Sequence, residues 1–529
     1  MKSNKYQKPN ILFAFADDWG RYASAYKGIK GTNSLNSFIE TPNFDRIARE
    51  GALFSNAFVP APSCTPCRSS VLSGQYFWQT GLGAILQGAR WDEEIPTYPL
   101  ELEKAGYHIG HTYKVWSPGL TVNAPYGGKR TQYLSAGNRY SNFSINATER
   151  VEAIGVTAAK EELYDETRKN FDTFLAERPE DSTPFCYWWG PTNTHRKWQK
   201  GSGKALWGIE PNDLKGKLPE FLPDVHDIRE DVADYLGECL AVDAGLGVLI
   251  QRLEDIGELD NTLIVVSGDH GIPGFPRAKC NLYDIGCEVA LAMRWPERIS
   301  EGRRIDDFVN LMDLAPTFLE AGEVAVPEPM TAKSLLPVLE SEASGQVDPG
   351  RIYVVTGRER HVSFAREGYL PYPQRAIRVQ NYLYVYNFEP DRWPMGEPNG
   401  LDDLYADLPT EEDLEQETYL AYPDLDAGPT KAWMIKHRAE PVVRQAFDLG
   451  FGKRPQEELY DLAVDPSYMR NVASDSKYSE KRKELHNQLM SVLREQRDPR
   501  LIEEVCRFES APFAGPTEDH KKPEYLRFA

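Results

Sequence analysis

Six consecutive apolar residues, Ile11-Leu12-Phe13-Ala14-Phe15-Ala16, run without a polar break and stop at Asp17-Asp18. A run of that length predicts a strand buried on both faces, as in a parallel sheet. The pattern recurs at Ala57-Phe58-Val59, at Pro184 to Trp189, at Leu263 to Gly268 and at Val289 to Pro296, and His108 to Lys114 reads as a further strand after a helix ending near Tyr107. Helical spacing lies between these runs. Thr41 caps a helix with Pro42 in its first position, Phe44, Ile47 and Ala48 inward, and Gly51 at its close. Asp227 to Glu230 reads as a capping box that opens a long helix carrying Val232, Leu236, Leu246, Leu249 and Leu253 inward. Asn310 to Leu319 predicts another helix, ending near Gly322. After Ile352 the rhythm changes: Arg375 to Tyr386 alternates as an antiparallel pair around an Asn turn, the acidic stretch Asp402 to Glu417 reads as a surface excursion, and Ser479 to Glu495 is a late amphipathic helix.

Alternating strands and helices followed by an antiparallel pair predict an α/β protein. A large mixed, mainly parallel sheet flanked by helices occupies residues 1–370, and a smaller α+β domain with an antiparallel sheet occupies residues 371–529. The length of 529 residues suits two such units. No apolar run approaches the roughly 20 residues of a membrane helix. A net charge of −20 argues against a broad nucleic-acid face and places any polyanionic substrate in a local basic pocket. The seven cysteines, at 64, 67, 186, 239, 280, 287 and 506, have no framework spacing, so disulfides are not expected as staples. Met1 to Asn10 is polar and lacks the apolar segment of a signal peptide. A cytoplasmic location, or a periplasmic or secreted one after removal of a signal, both remain open, as does the oligomeric state.

Chemistry concentrates where strands end. Asp17-Asp18 and Asp269-His270 each follow an apolar strand, and ligand sites of open α/β sheets lie outside the carboxyl ends of strands. Two carboxylate-bearing endings point to a hard divalent cation. Lys114 and His195 follow two other strands. The stretch Cys64-Thr65-Pro66-Cys67-Arg68-Ser69-Ser70-Val71-Leu72-Ser73-Gly74 reads as a turn entering a helix, with Ser69 to Leu72 as the helix start and Cys64 near its N-terminus, where an anion is favoured. It contains C-x-x-C, the spacing of a redox pair, and equally Cys-x-Pro-x-Arg.

Taken in order, these stretches resemble a type I sulfatase of the alkaline phosphatase superfamily. The resemblance runs through Pro9 to Asp18, Thr41-Pro42-Asn43, Cys64 to Gly74, Ala105 to Lys114, His195, Asp269-His270-Gly271, Lys279 to Gly286 and Asp313 to Thr317. Gly357 to His361 and Glu458 to Leu462 are similar to the branch containing N-sulfoglucosamine sulfohydrolase and related glycan sulfatases. The series displaces the redox reading. The resemblance implies that Cys64 is converted to formylglycine by a formylglycine-generating enzyme. It further implies that Asp17, Asp18, Asp269 and His270, with the modified Cys64, hold Ca²⁺, or Mg²⁺ in its place. His270 departs from the usual Asn of the family, and imidazole is a poor calcium ligand.

In the implied mechanism a hydroxyl of hydrated formylglycine attacks sulfur, and the second hydroxyl drives sulfate out. Arg68 orients position 64, Lys114 and Lys279 clamp sulfate oxygens, and His195 is the general acid. The family's second histidine, two residues past the first lysine, is replaced by Trp116; His108 or His111 is either a substitute elimination base or purely structural. Trp116, Trp188, Trp189 and Trp198 read either as sugar-stacking platforms or as core. Arg358, Arg360, His361 and Arg375 form a basic group near the domain junction that could bind a second sulfate or a carboxylate of a glycan, or act as a salt-bridge set. Lysine at 279, where N-sulfatases tend to carry arginine, favours an O-sulfatase acting on the end of a sulfated carbohydrate chain. N-desulfation, a formylglycine-dependent phosphodiesterase or phosphonate hydrolase, and a glycan-binding homologue without catalysis stand as alternatives.

Overall fold

The computed structural model describes residues 8–29, 35–121 and 123–511; most of the polar opening segment Met1 to Asn10 lies outside them. Eleven strands form among these residues: β1 Asn10–Ala16, β2 Ala52–Phe58, β3 His108–Tyr113, β4 Phe185–Gly190, β5 Thr262–Gly268, β6 Leu291–Arg294, β7 Arg303–Asn310, β8 Tyr353–Arg358, β9 Gln374–Val379, β10 Tyr382–Asn387 and β11 Glu457–Asp461. Seven make one sheet in the order β3-β4-β1-β5-β6-β2-β7, parallel except for β6, which runs antiparallel to both neighbours. The other four make an antiparallel sheet, β11-β10-β9-β8. β8 precedes residue 371 and still belongs to the second sheet, so the expected boundary cuts between two of its strands.

β1 sits near the middle of the large sheet, which explains its unbroken apolar run. Ile11, Phe13 and Phe15 face one core layer, and Leu12, Ala14 and Ala16 face the other. The second layer holds helix α1 (Pro42–Arg49) and the long helix His226–Asp255. The first layer holds α2 (Cys64–Ser73) together with Ala376, Ile377, Leu383 and Tyr384 of the small sheet, so both sheets share that core. α2 is buried along its whole length and begins at Cys64 itself, one turn earlier than the Ser69 start read from the sequence. The capping box at Asp227 does not form: the long helix starts at His226 after Val225, and no side chain caps it.

Register carries the first functional consequence. β1 pairs in parallel with β5 from Asn10↔Thr262 to Ala16↔Gly268, so Asp17-Asp18 and Asp269-His270 emerge side by side. The amide of Asp18 donates to Asp269 Oδ1 at 2.8 Å, tying the two strand ends together. Asp18 takes a left-handed conformation (φ 49°), an uncommon state for a residue with a side chain and one that turns the chain sharply as it leaves β1. Gly268 and Gly190 are needed where they stand. A Cβ on either would lie 2.0 Å from a carbonyl oxygen, that of Trp19 or Lys114.

Candidate active site

Cys64 heads α2 with its Sγ 3.3 Å from His270 Nε2 and 3.8 Å from Asp18 Oδ1. Around it, Asp18 with Cys64 and His270, and Asp17 with Cys64 and Asp269, present ligand atoms within 4.8 Å of one another. Asp17, Asp18 and His195 form a third such group. Cys64, Asp17, Asp18, Asp269 and His270 are all buried. Isolated, three buried carboxylates would be too costly to ionise, and the fold answers with three cations. Arg68 donates to Asp269 Oδ2 at 2.7 Å and to Asp17 Oδ1 at 3.0 Å, and it also takes the carbonyls of Lys114 and Val115. Lys114 Nζ bonds both oxygens of Asp17 at 2.8 Å. Lys279 Nζ bonds Asp18 Oδ2 at 2.9 Å and lies 3.2 Å from Asp426 Oδ2.

These contacts set the protonation states. Burial pushes the Asp17 carboxyl upward, but Lys114 and Arg68 outweigh it and hold it well below the usual carboxylate range. Burial alone would lower Lys279, yet Asp18 and Asp426 keep it firmly charged. The Cys64 thiol is driven up by burial and by Asp17, so the unmodified cysteine is held as a thiol here and is a weak nucleophile.

The donor set fits a divalent cation. His270 Nδ1 lies 3.1 Å from the carbonyl of Gly271, which can only accept, so Nδ1 carries the proton in the neutral ring. Nε2 then turns a lone pair toward Asp18 Oδ1 at 3.1 Å and Asp269 Oδ1 at 3.5 Å. Lone pairs so arranged can hold a cation among them, and Asp17, Asp18 and Asp269 supply the oxygen ligands a hard ion prefers.

His195 borders a cleft of about 480 Å³ together with Asp17, Lys114, Gln132, Asn138 and Arg196. Its Nδ1 lies 2.6 Å from the carbonyl of Arg196, which fixes the proton on Nδ1 and leaves Nε2 to exchange one. Arg196 is held by the two hydrogen bonds it donates to Asp231 and by the face of Trp198, 4.1 Å from its ring centre.

Several sequence readings are corrected. Trp116 is buried, donates from Nε1 to Ser69 Oγ at 2.8 Å and packs edge-on to Trp91, so it braces α2 and has no face free for a sugar. Trp188 and Trp189 are fully buried on β4. The basic group is spent internally. Arg375 pairs with Asp498 and Glu359, Arg358 with Asp424 and the carbonyl of Cys280, and Arg360 donates to the carbonyls of Ala511 and Gln87. His361 is buried against Ser63 Oγ at 2.8 Å, where burial lowers it to about 3. None of the four presents a free cation to a glycan. His108 stacks on Phe174, and His111, lowered by burial to about 4, packs on Tyr126, so neither replaces the missing histidine. Sequence reasoning missed Asp426, and also Gln132 and Asn138 of the cleft. Their loops follow no strand end and carry no motif.

A buried acid cluster beside Cys64, with two lysines and an arginine paired to it, makes a site suited to an anionic group. Comparison with known proteins narrows the class. The sulfatase family model matches residues 9–324, and the model of the C-terminal region of N-sulphoglucosamine sulphohydrolase matches residues 269–407. The chain therefore belongs to the sulfatase family and is a sulfuric ester hydrolase. It is 27% identical over 519 residues to N-sulphoglucosamine sulphohydrolase of Homo sapiens, covering 93% of this chain and 91% of that one. It is 26% identical over 423 residues to N-acetylglucosamine-6-O-sulfatase of Bacteroides thetaiotaomicron, covering 65% and 73%. Among solved structures, one in complex with its substrate D-glucosamine-2-N,6-O-disulfate aligns with a TM-score of 0.59 at 20% identity over 94% of this chain and all of that one. The phosphonate monoester hydrolase of Agrobacterium radiobacter aligns with a TM-score of 0.60 at 18% identity over 92% and 96%. Together these show an alkaline phosphatase-like sulfatase fold.

Proposed function

We propose that this chain removes O-linked sulfate from the end of a sulfated carbohydrate, with Cys64 converted to formylglycine and a divalent cation, Ca²⁺ or else Mg²⁺, on Asp17, Asp18 and Asp269. The observation that carries the reading is Cys64 at the head of α2, beside the acid cluster whose outer carboxylates are gripped by Lys114 and Lys279. Formylglycine at position 64 would supply, as its hydrate, one hydroxyl as nucleophile and a second to expel sulfate, and a divalent cation held by Asp17, Asp18 and Asp269 would lower the pKa of the attacking one. Lys114 and Lys279, beside the acid cluster, would hold sulfate oxygens where charge persists in the transition state. Arg68 keeps Asp17 and Asp269 aimed inward, and His195 gives a proton from Nε2 to the leaving oxygen. The sugar occupies the cleft of Gln132 and Asn138, whose amides suit ring hydroxyls.

The carbohydrate substrate is supported by the N-acetylglucosamine-6-O-sulfatase relative, and the family resemblance at Lys279 favours oxygen over nitrogen as the leaving atom. N-desulfation is the second reading, favoured by similarity to N-sulphoglucosamine sulphohydrolase along nearly the whole chain. The test is to express the chain with a formylglycine-generating enzyme and measure the Cys64 peptide. A loss of about 18 Da is expected. Sulfate release from 6-O-sulfated and N-sulfated glucosamine is then compared. Release only from the N-sulfated sugar would replace the first reading with the second. A thiol in every preparation would overturn both.

A further inference from the structure

Asp426 lies one side chain away from the nucleophile. Its Oδ2 is buried 3.2 Å from Lys279 Nζ without a hydrogen bond, while about a fifth of the side chain (21%) stays accessible. The loop that carries it is held rigidly. Asp424 is bound by Arg358 and by Arg366 at 2.7 Å, and Lys431 Nζ gathers the carbonyls of Thr418, Tyr422 and Leu425. Lys279 also pairs with Asp18 at 2.9 Å, so Asp426 is its second carboxylate. Near a sulfate site that second carboxylate is otherwise a cost. Burial opposes its ionisation, but Lys279 and His195 keep it charged, and a charged carboxylate can only accept hydrogen bonds.

Resting on the sulfatase reading above, we propose that Asp426 is a specificity residue that accepts a hydrogen bond from a donor, a hydroxyl or an ammonium, on the sugar that carries the sulfate. The preferred substrate then has such a donor beside its sulfate ester. A second sulfate or a carboxylate at that place is repelled.

The test compares kcat/KM for 4-nitrophenyl sulfate, which has no such donor, with kcat/KM for the best-hydrolysed member of a panel of monosulfated glucose, galactose and glucosamine. In Asp426→Asn and Asp426→Ala the ratio of sugar to aryl sulfate is expected to fall by about 10- to 100-fold, the loss typical of a hydrogen bond to a charged group. Deoxy and des-amino versions of the sugar should cost the unaltered enzyme a similar factor and lose nothing more in Asp426→Ala. The version that shows the loss tells hydroxyl from ammonium. Equal losses on sugar and aryl sulfate would overturn the inference and leave Asp426 as a support for Lys279. Equal turnover by the unaltered enzyme of a sugar with a second sulfate beside the first would overturn it too. No turnover of any sulfate by protein shown by mass to carry the aldehyde would overturn the sulfatase reading itself, and this inference with it.

Discussion

Replacing Arg68 with methionine removes one charge and leaves two behind. The side chain has no measurable exposure, its guanidinium joins Asp17 to Asp269, and it stacks 5.1 Å from the ring centre of Phe15. Methionine restores most of the volume, so the cavity cost is small and the loss is electrostatic. Breaking a buried pair by removing one partner costs about 3–5 kcal/mol, because the remaining charge is uncompensated. Lys114 still covers Asp17, which places the expectation for Arg68→Met near the lower bound, about 3 kcal/mol. Amide hydrogen exchange localises the effect. Amides of β1, β5 and α2 that exchange by global opening should exchange on the order of 100-fold faster in the variant. Saturating Ca²⁺ should recover part of the difference, since a cation on the same carboxylates replaces the missing charge. Protection unchanged within about twofold would refute the premise that Arg68 balances this cluster. A loss that Ca²⁺ leaves untouched would refute the assignment of the carboxylates as its ligands.

His270→Asn replaces a ring nitrogen with an amide oxygen, and calorimetric titration should show tighter Ca²⁺ binding and weaker Mn²⁺ binding than in the unaltered protein. Trp116→Ala should destabilise the fold by about 3–5 kcal/mol through the lost bond to Ser69 and packing on Trp91, with KM for the sugar moving less than about twofold. A large KM change instead would restore its reading as a sugar platform. Glu238, buried on the long helix, is raised by burial to about 7 against hydrogen bonds from Ser144 and Asn193. Its folded pKa exceeds its unfolded one, so the folded state binds the extra proton, and stability falls as pH rises from about 4.5 through about 7. Unfolding free energies from denaturant titration at pH 5 and pH 8 should differ less in Glu238→Gln than in the unaltered chain, by on the order of 2 kcal/mol.

The strand endings were legible because burial on both faces demands an unbroken apolar run, and the first polar pair after it must lie at the sheet's edge. Asp17-Asp18 and Asp269-His270 stood out for that reason, although nothing local announces that β1 and β5 are neighbours. The basic group near the junction was legible only as a choice between a glycan site and a salt-bridge set, and the second is what forms. Arg375 and Arg358 look like surface cations until Asp498 and Asp424 arrive from 123 and 66 residues away. Trp116 misled because an indole serves a core and a sugar equally well, and its choice depends on Ser69 and Trp91, which the spacing does not bring together. Asp426 gave no sign, since nothing in its own stretch shows that the fold brings it to Lys279.

The pairing of β1 with β5 joins ligands 251 residues apart in the chain. No fragment shorter than that span can assemble the acid cluster, and anything that loosens the central strands, however remote, must spread Asp18 from Asp269. Under the proposed function, ion affinity is thus a gauge of whether the whole sheet is intact. A substitution deep in either core layer should register first as a weaker hold on the cation, before any loss of secondary structure is seen.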